Sequence, residues 1–268
     1  MILHATHITA RRGGRTVLKE VSLSLQGGDV TALVGAPGSG KTTLMEICAG
    51  LRRPTQGSLW VAGQQQTAWR TPAADVRRAY LAEYEPCLLE VATIDAVAQG
   101  ALDGATPWRV ALQRAQAALE TVGCSHLTTR HMVHLSAGEQ LRVRLARLVV
   151  QMWNVRPDGN SLVFLDAPGN GTDYTTAGLI FAVAHALAKR GAAVLVASHD
   201  LNGVMQHADR VLMLRDGCMT AEGRADQVLT ASRLAIVLGV DASVDVIGSA
   251  LHPVVISRPA AAALQLPF

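Results

Sequence analysis

Aromatic residues are scarce in this chain of 268 residues, at 4% of the total, and they are not interleaved with its charges. With a formal net charge of only +3 there is no basic stripe either, so no nucleic-acid partner is expected. Lysine is rarer still: Lys19, Lys41 and Lys189 stand among cations that are otherwise arginine. The cysteines Cys48, Cys87, Cys124 and Cys218 are scattered with no CxxC pair. That spacing argues against a cysteine metal site or a disulfide framework and suits a reducing compartment. The longest apolar segment, Ala177 to Ala188, is broken by His185 and too short to span a bilayer. Met1–His7 lacks a basic region followed by a sustained apolar run, so no secretory signal is expected. If this protein works at a membrane, another chain does the spanning.

What the chain does contain is a 49% hydrophobic composition, enough for a substantial α/β core. One stretch organises it: Gly35-Ala36-Pro37-Gly38-Ser39-Gly40-Lys41-Thr42, preceded by the apolar run Val30–Val34 and followed by Thr43–Ala49. Strand, glycine-rich turn and helix start form the context in which a phosphate loop carries physical meaning. The glycines let backbone N–H groups turn inward, and the helix N-terminus adds partial positive charge. Lys41 offers a point charge to the outer phosphates and Thr42 a hydroxyl to Mg²⁺. A nucleotide site is expected here.

Along the chain, Thr6–Ala10 and Val21–Leu25 read as half-buried strands, and Ser58–Gly63 as another. Arg77–Glu83 reads as a strand ending in a carboxylate. Helical spacing then takes over in Ile94–Leu102, Arg109–Val122 and Gly138–Met152, a block large enough for a subdomain. Strand character returns at Ser161–Leu165, and a helix spans Thr175–Lys189. The buried strand Ala192–Ala197 ends in Ser198-His199-Asp200, and Asp216-Gly217 signals a hairpin. The segment Ala231–Phe268 gives no readable pattern.

Three further features gain meaning from position. Leu135-Ser136-Ala137-Gly138-Glu139-Gln140 opens the third helix of the block, a capped helix start suited to an anion. Asp166 ends a hydrophobic strand, where a carboxylate can hold Mg²⁺ through its water shell. His199 ends another strand, on an expected sheet edge shared with the phosphate loop.

In order and spacing these motifs resemble the ATP-binding subunits of ABC transporters over nearly the whole chain. The phosphate loop matches Walker A from Gly35 through Thr42 and Thr43; Leu135–Gln140 matches the signature, with Ser136, Ala137, Gly138 and Glu139 as nucleotide contacts in trans. Asp166 ends the Walker B strand, Asp173 holds the D-loop position, and His199 matches the switch histidine. The resemblance implies a P-loop NTPase (RecA-like) core with an N-terminal antiparallel β subdomain and an inserted α-helical subdomain. Residues 1–82 and 160–230 would form the core, 83–159 the helical subdomain and 231–268 a C-terminal extension. It also implies ATP and Mg²⁺, with Thr42, Asp166 and Glu83 about the metal. The partners would be a second copy or paired ABC subunit, two membrane permease subunits and an extracytoplasmic binding protein, at the cytoplasmic face of a bacterial inner membrane. Arg77–Leu81, Leu145–Trp153 with the insertion Arg156–Gly159, Ser198–Asn202 and Leu238–Asp241 look most like the metal-chelate importers, haemin importers above all.

The departures carry information. Ala167 stands where the family has a glutamate that polarises the attacking water, and loss of a general base costs about 10² to 10⁴ in rate. Glu83 replaces the Q-loop glutamine, and a carboxylate cannot donate a hydrogen bond as an amide does. Ala137 adds a methyl group where the signature has glycine, and no aromatic near Arg11 and Arg12 is placed to stack on adenine, a role open to an arginine plane. Two readings follow: a transport ATPase, or a subunit that dimerises on ATP and barely hydrolyses it.

Overall fold

Alternation of apolar and polar residues at the N-terminus builds a sheet with one buried face. β1 (Leu3–Arg12) pairs antiparallel with β2 (Arg15–Leu25), Leu3 opposite Leu25. β3 (Val30–Val34) is buried at every position, as a central parallel strand requires, and leads through the glycine-rich turn into α1 (Lys41–Cys48). β4 (Gln56–Val61) and β5 (Gln64–Gln65) return to the first sheet, giving the order β2-β1-β4-β5. The computed structural model describes residues 1–67, 69, 76–83, 90–101, 106–154, 160–168, 174–245 and 252–257.

The chain then enters a second sheet at β6 (Arg77–Leu81) and leaves it for a helical block: α2 (Thr93–Ala98), α3 (Trp108–Thr121) and α4 (Ala137–Gln151). It re-enters through β7 (Ser161–Asp166), α5 (Tyr174–Ala188), β8 (Ala193–Ala197), α6 (Leu201–His207), β9 (Arg210–Arg215) and β10 (Cys218–Gly223). The strand order is β10-β9-β3-β8-β7-β6, parallel throughout except for β10. The hairpin turn between β9 and β10 has Asp216 and Gly217 both at positive φ, 50° and 80°, as a tight type I′ connection demands.

This six-stranded sheet divides the interior in two by its period of two. Leu162, Phe164, Leu195 and Leu212 face α1 and the antiparallel sheet. Val163, Leu165, Val194 and Val211 face α5, α6 and the helical block. The fold is thus a P-loop NTPase core with an antiparallel sheet on one side and an inserted helical subdomain on the other.

The structure differs from the sequence pattern in two places. β6 stops at Leu81, and Glu83 lies in a bend beyond it rather than in the strand. β6 is the edge strand, and its ladder to β7 ends at the pair Leu81–Leu165, so no ladder bond keeps the next residues extended. After α7 (Ala225–Val228), the segment without a readable pattern contains α8 (Ala231–Leu238) and the antiparallel pair β11 (Ala242–Asp245) and β12 (Val254–Ser257).

Asn202, on α6, ties this C-terminal pair to the core. Its Nδ2 donates to the Val255 carbonyl at 3.2 Å and its Oδ1 accepts from the Val255 N–H at 2.8 Å. Two such bonds contribute about 1 kcal/mol each. Asn202→Ala is therefore expected to speed amide hydrogen exchange at Val255 by about tenfold or more, leaving the β3 amides unchanged. Equal exchange at Val255 in both proteins would show that other contacts hold β12.

Candidate functional site

The carboxyl ends of β3, β8, β7 and β6, four neighbours in one sheet, deliver the candidate residues to a single edge. From β3 comes the loop Gly35–Thr42. A Cβ at Gly35 would lie 2.3 Å from the Leu214 carbonyl oxygen and 2.6 Å from Ser39 Oγ, so only glycine fits there. Ser39 N–H closes the turn on Ala36 O at 3.1 Å, and Gly40, at φ 107°, turns the chain into α1. Lys41 folds back across the loop, its Nζ donating to Gly35 O at 2.7 Å and Ala36 O at 3.0 Å. Burial pushes the Lys41 ammonium's pKa down, while Asp166 and Glu83 oppose that shift.

Ser39 Oγ is buried without a hydrogen-bond partner beneath this loop. An orphaned buried hydroxyl, a left-handed turn and an exposed helix N-terminus together fit a bound phosphate chain. The following residues divide in role: Thr43 is buried in the core with Leu44, whereas Thr42 is open to the site.

Asp166, at the end of β7, is 2% exposed. It accepts a hydrogen bond from Tyr80 Oη at 2.9 Å, and the Thr42 side chain also bonds to it. Burial nevertheless raises its pKa, with Glu83 and Glu46 adding to the rise. A hydroxyl and a carboxylate in contact, with further carboxylates nearby, form the hard oxygen set that suits Mg²⁺. A divalent cation there would offset the burial that holds the Asp166 pKa up, and with it the smaller repulsion from Glu83 and Glu46.

The Tyr80 phenol is the residue that sequence reasoning missed. Burial and the adjacent Asp166 both drive its pKa upward, so it stays a donor. Its signal was hidden because the pairing of Tyr80 with Phe164 exists only in the folded sheet.

His199 follows β8. Desolvation first, then the charge of Lys41, hold its imidazole below the ordinary histidine range, and Glu83 opposes both. Beside it Ala167 adopts a left-handed backbone, φ 43°, with its N–H bonded to Ala197 O at 3.0 Å. A cavity of about 40 Å³ opens between Ala167, His199 and Phe181, room for ordered water.

The structure does not bring the signature stretch to this edge. Ser136 caps α4 in a capping box: Glu139 N–H donates to Ser136 Oγ at 3.3 Å, while Ser136 N–H and Oγ both lie 2.7 Å from Glu139 Oε2. Those bonds lower the Glu139 pKa, with Arg130 and His126 contributing. Gln140 Nε2 bonds to Leu135 O at 3.0 Å. Among the described residues these interactions stay within the helical block, with Ala137 and Gly138 in its first turn. Asp173, Cys87 and the insertion Arg156–Gly159 lie outside the described residues.

The chain matches the ABC transporter family over residues 18–156. It belongs to that family. As an ABC protein it is a transport ATPase that binds ATP. A hemin import ATP-binding protein of Gloeobacter violaceus is 37% identical over 235 residues, 85% of this chain and 84% of the relative. The hemin import ATP-binding protein of Pseudomonas aeruginosa is 30% identical over 257 residues, 96% of this chain and 100% of the relative. Among solved structures, a chain of an ABC transporter in an inward-facing conformation superposes with a TM-score of 0.78 at 19% identity, covering 97% of this chain and 98% of the other. A dimeric ATP-binding cassette bound to ADP and Pi superposes at 0.68 and 21% identity, covering 84% and 99%. Among the described residues, no helix of this ABC protein is long and apolar enough to cross a membrane.

Removing the Tyr80 hydroxyl leaves a buried carboxylate short of a partner. Tyr80→Phe is expected to raise the Mg²⁺ concentration needed for half-maximal ATP hydrolysis several-fold and to lower turnover about tenfold. A Mg²⁺ titration of steady-state hydrolysis, beside wild type, measures both.

Proposed function

We propose that this chain is the energy-coupling subunit of an importer for haemin or a related metal chelate. The observation that supports this reading best is the run of haemin-import relatives at 30–37% identity, which align along most of this chain's length. Two copies, or this chain and a paired ABC subunit, would close head to tail on ATP. They would act on two permease subunits at the cytoplasmic face of a bacterial inner membrane, fed by an extracytoplasmic binding protein. Residues 83–159 would dock on the permease, and 231–268 would brace the core.

In this reading Lys41 and the loop N–H groups from Gly35 to Thr42 hold the phosphates, and Thr42 and Asp166 take Mg²⁺. His199 meets the γ-phosphate or the attacking water. Ser136, Ala137, Gly138 and Glu139 serve the other copy's nucleotide, with Asp173 at the shared seam. Because Ser136 Oγ is engaged with Glu139 in the single chain, closure must redirect that hydroxyl. ATP binding closes the pair and hydrolysis reopens it, so transport draws on differential affinity for the two states. The reading as a hydrolysis-impaired clamp rests on Ala167 and Glu83, and the comparisons lend it no support.

In the source organism, with haemin as sole iron source, Lys41→Ala is expected to abolish growth while growth on ferrous salt continues. Undiminished growth on haemin would sink the substrate assignment.

A further inference from the structure

Beside the nucleotide edge, α5 and α6 meet along matching ridges. On α5, Phe181 and His185 stand four residues apart and so share a face; on α6, Gly203 and His207 do the same. The His207 ring stacks on Phe181, with centroids 5.1 Å apart, and meets His185 edge-on at 5.6 Å. Gly203 allows the close approach, since a Cβ there would lie 2.7 Å from the Phe181 ring and collide with the Asp200 carboxylate. Through Asn202, α6 also holds Val255 of β12 by both its N–H and its carbonyl. His252 leads into β12, and its charge is felt at His207.

We propose that His207, set among Phe181, His185 and His252, is a proton-operated latch. Neutral, it lets α6 and the β11–β12 pair that α6 grips pack on α5; protonated, it loosens that packing.

Imidazole is the side chain whose charge changes nearest neutrality, and here one half-buried ring has two other imidazoles about it. Burial is the main reason that charge on His207 is disfavoured. His185 and His252 add like-charge repulsion, and Asp200 opposes them. In the packed state the His207 pKa therefore lies below the ordinary histidine range, and it returns to that range when water reaches the ring. Packing is fully favourable above the ordinary histidine pKa and weakens as the pH falls through that value towards the depressed one.

The other described charged groups around α6 have partners of their own. Asp226 of α7, which also packs on α6, accepts from Arg224 Nε at 3.2 Å. Asp209 accepts from the Val30 N–H at 2.8 Å. Asp200 caps α6, accepting from the Gly203 N–H at 2.9 Å. Because α6 starts directly after His199 and Asp200, the latch also sets how firmly the helix following the site histidine is held. It depends on these contacts and not on what the protein transports.

Amide hydrogen exchange, corrected for the pH dependence of the chemical rate, reads the latch at two places. One is Val255 of β12; the other is Ala208, whose N–H closes α6 on Val204 O at 2.9 Å. Between about pH 7.5 and pH 5.5, protection at both is expected to fall about tenfold relative to the β3 amides. His207→Phe keeps a flat ring against Phe181 without the charge, so its protection should change less than about twofold over the same range. His207→Lys is charged throughout that range and should exchange fast at both amides already at about pH 7.5. Protection in wild type that does not change with pH overturns the proposal. So does a fall that persists undiminished in His207→Phe, or wild-type protection in His207→Lys. Should His207→Lys fail to fold, the pH series of wild type and His207→Phe decides the matter alone.

Discussion

Parallel registration of β3, β8, β7 and β6 is the constraint on which everything else depends. In a parallel sheet every strand ends at the same edge, and the chain must leave that edge through a loop or helix. Residues at four separate points in sequence are thereby collected without any direct bond between their segments. Lys41, Glu83, Asp166 and His199 owe their electrostatic coupling to this geometry, not to local chemistry. The sheet can hold the register because both faces are covered: α1 and the antiparallel sheet on one side, the helical block and α5 on the other. Slippage by one residue would exchange the two sets of core side chains and expose both faces to the wrong partners.

The site also shows opposing charge effects held in balance. Lys41 is buried, which disfavours its charge, and so is Asp166, which disfavours its own. Asp166 makes the ionised form of Lys41 more tolerable, and the loop carbonyls accept hydrogen bonds from its ammonium. A polyanionic phosphate chain and a divalent cation would satisfy both ions at once. The empty-handed Ser39 hydroxyl under the loop points the same way. Relief of desolvated charge at this edge would favour a nucleotide with its metal over either alone.

The helical block behaves differently. Its signature residues form a self-contained cap, Ser136 and Glu139 satisfying one another at the start of α4. That cap stabilises the helix within a single chain, and in the proposed pairing its nucleotide contacts would be made with a second chain. In the proposed pairing the two half-sites would be of unlike character: one preorganised by the sheet, the other released from a local hydrogen-bond pair when the two chains meet.

By itself, the sequence determined whatever is written locally. The glycine spacing of 35–42, the capping box at Ser136, the hairpin at Asp216-Gly217 and the fully apolar strands all follow from short-range sterics and periodicity, which a linear reading can see. Even the substitutions at 83 and 167 were visible as separate departures. Only the tertiary structure decided that Tyr80 serves Asp166 and that Asn202 anchors β12. It also ended β6 at Leu81, because an edge strand persists only while its one neighbour pairs with it. The reason is common to all of these: strand register is a long-range pairing, set by how two buried faces interlock, and no local pattern in the chain records which residues it brings side by side.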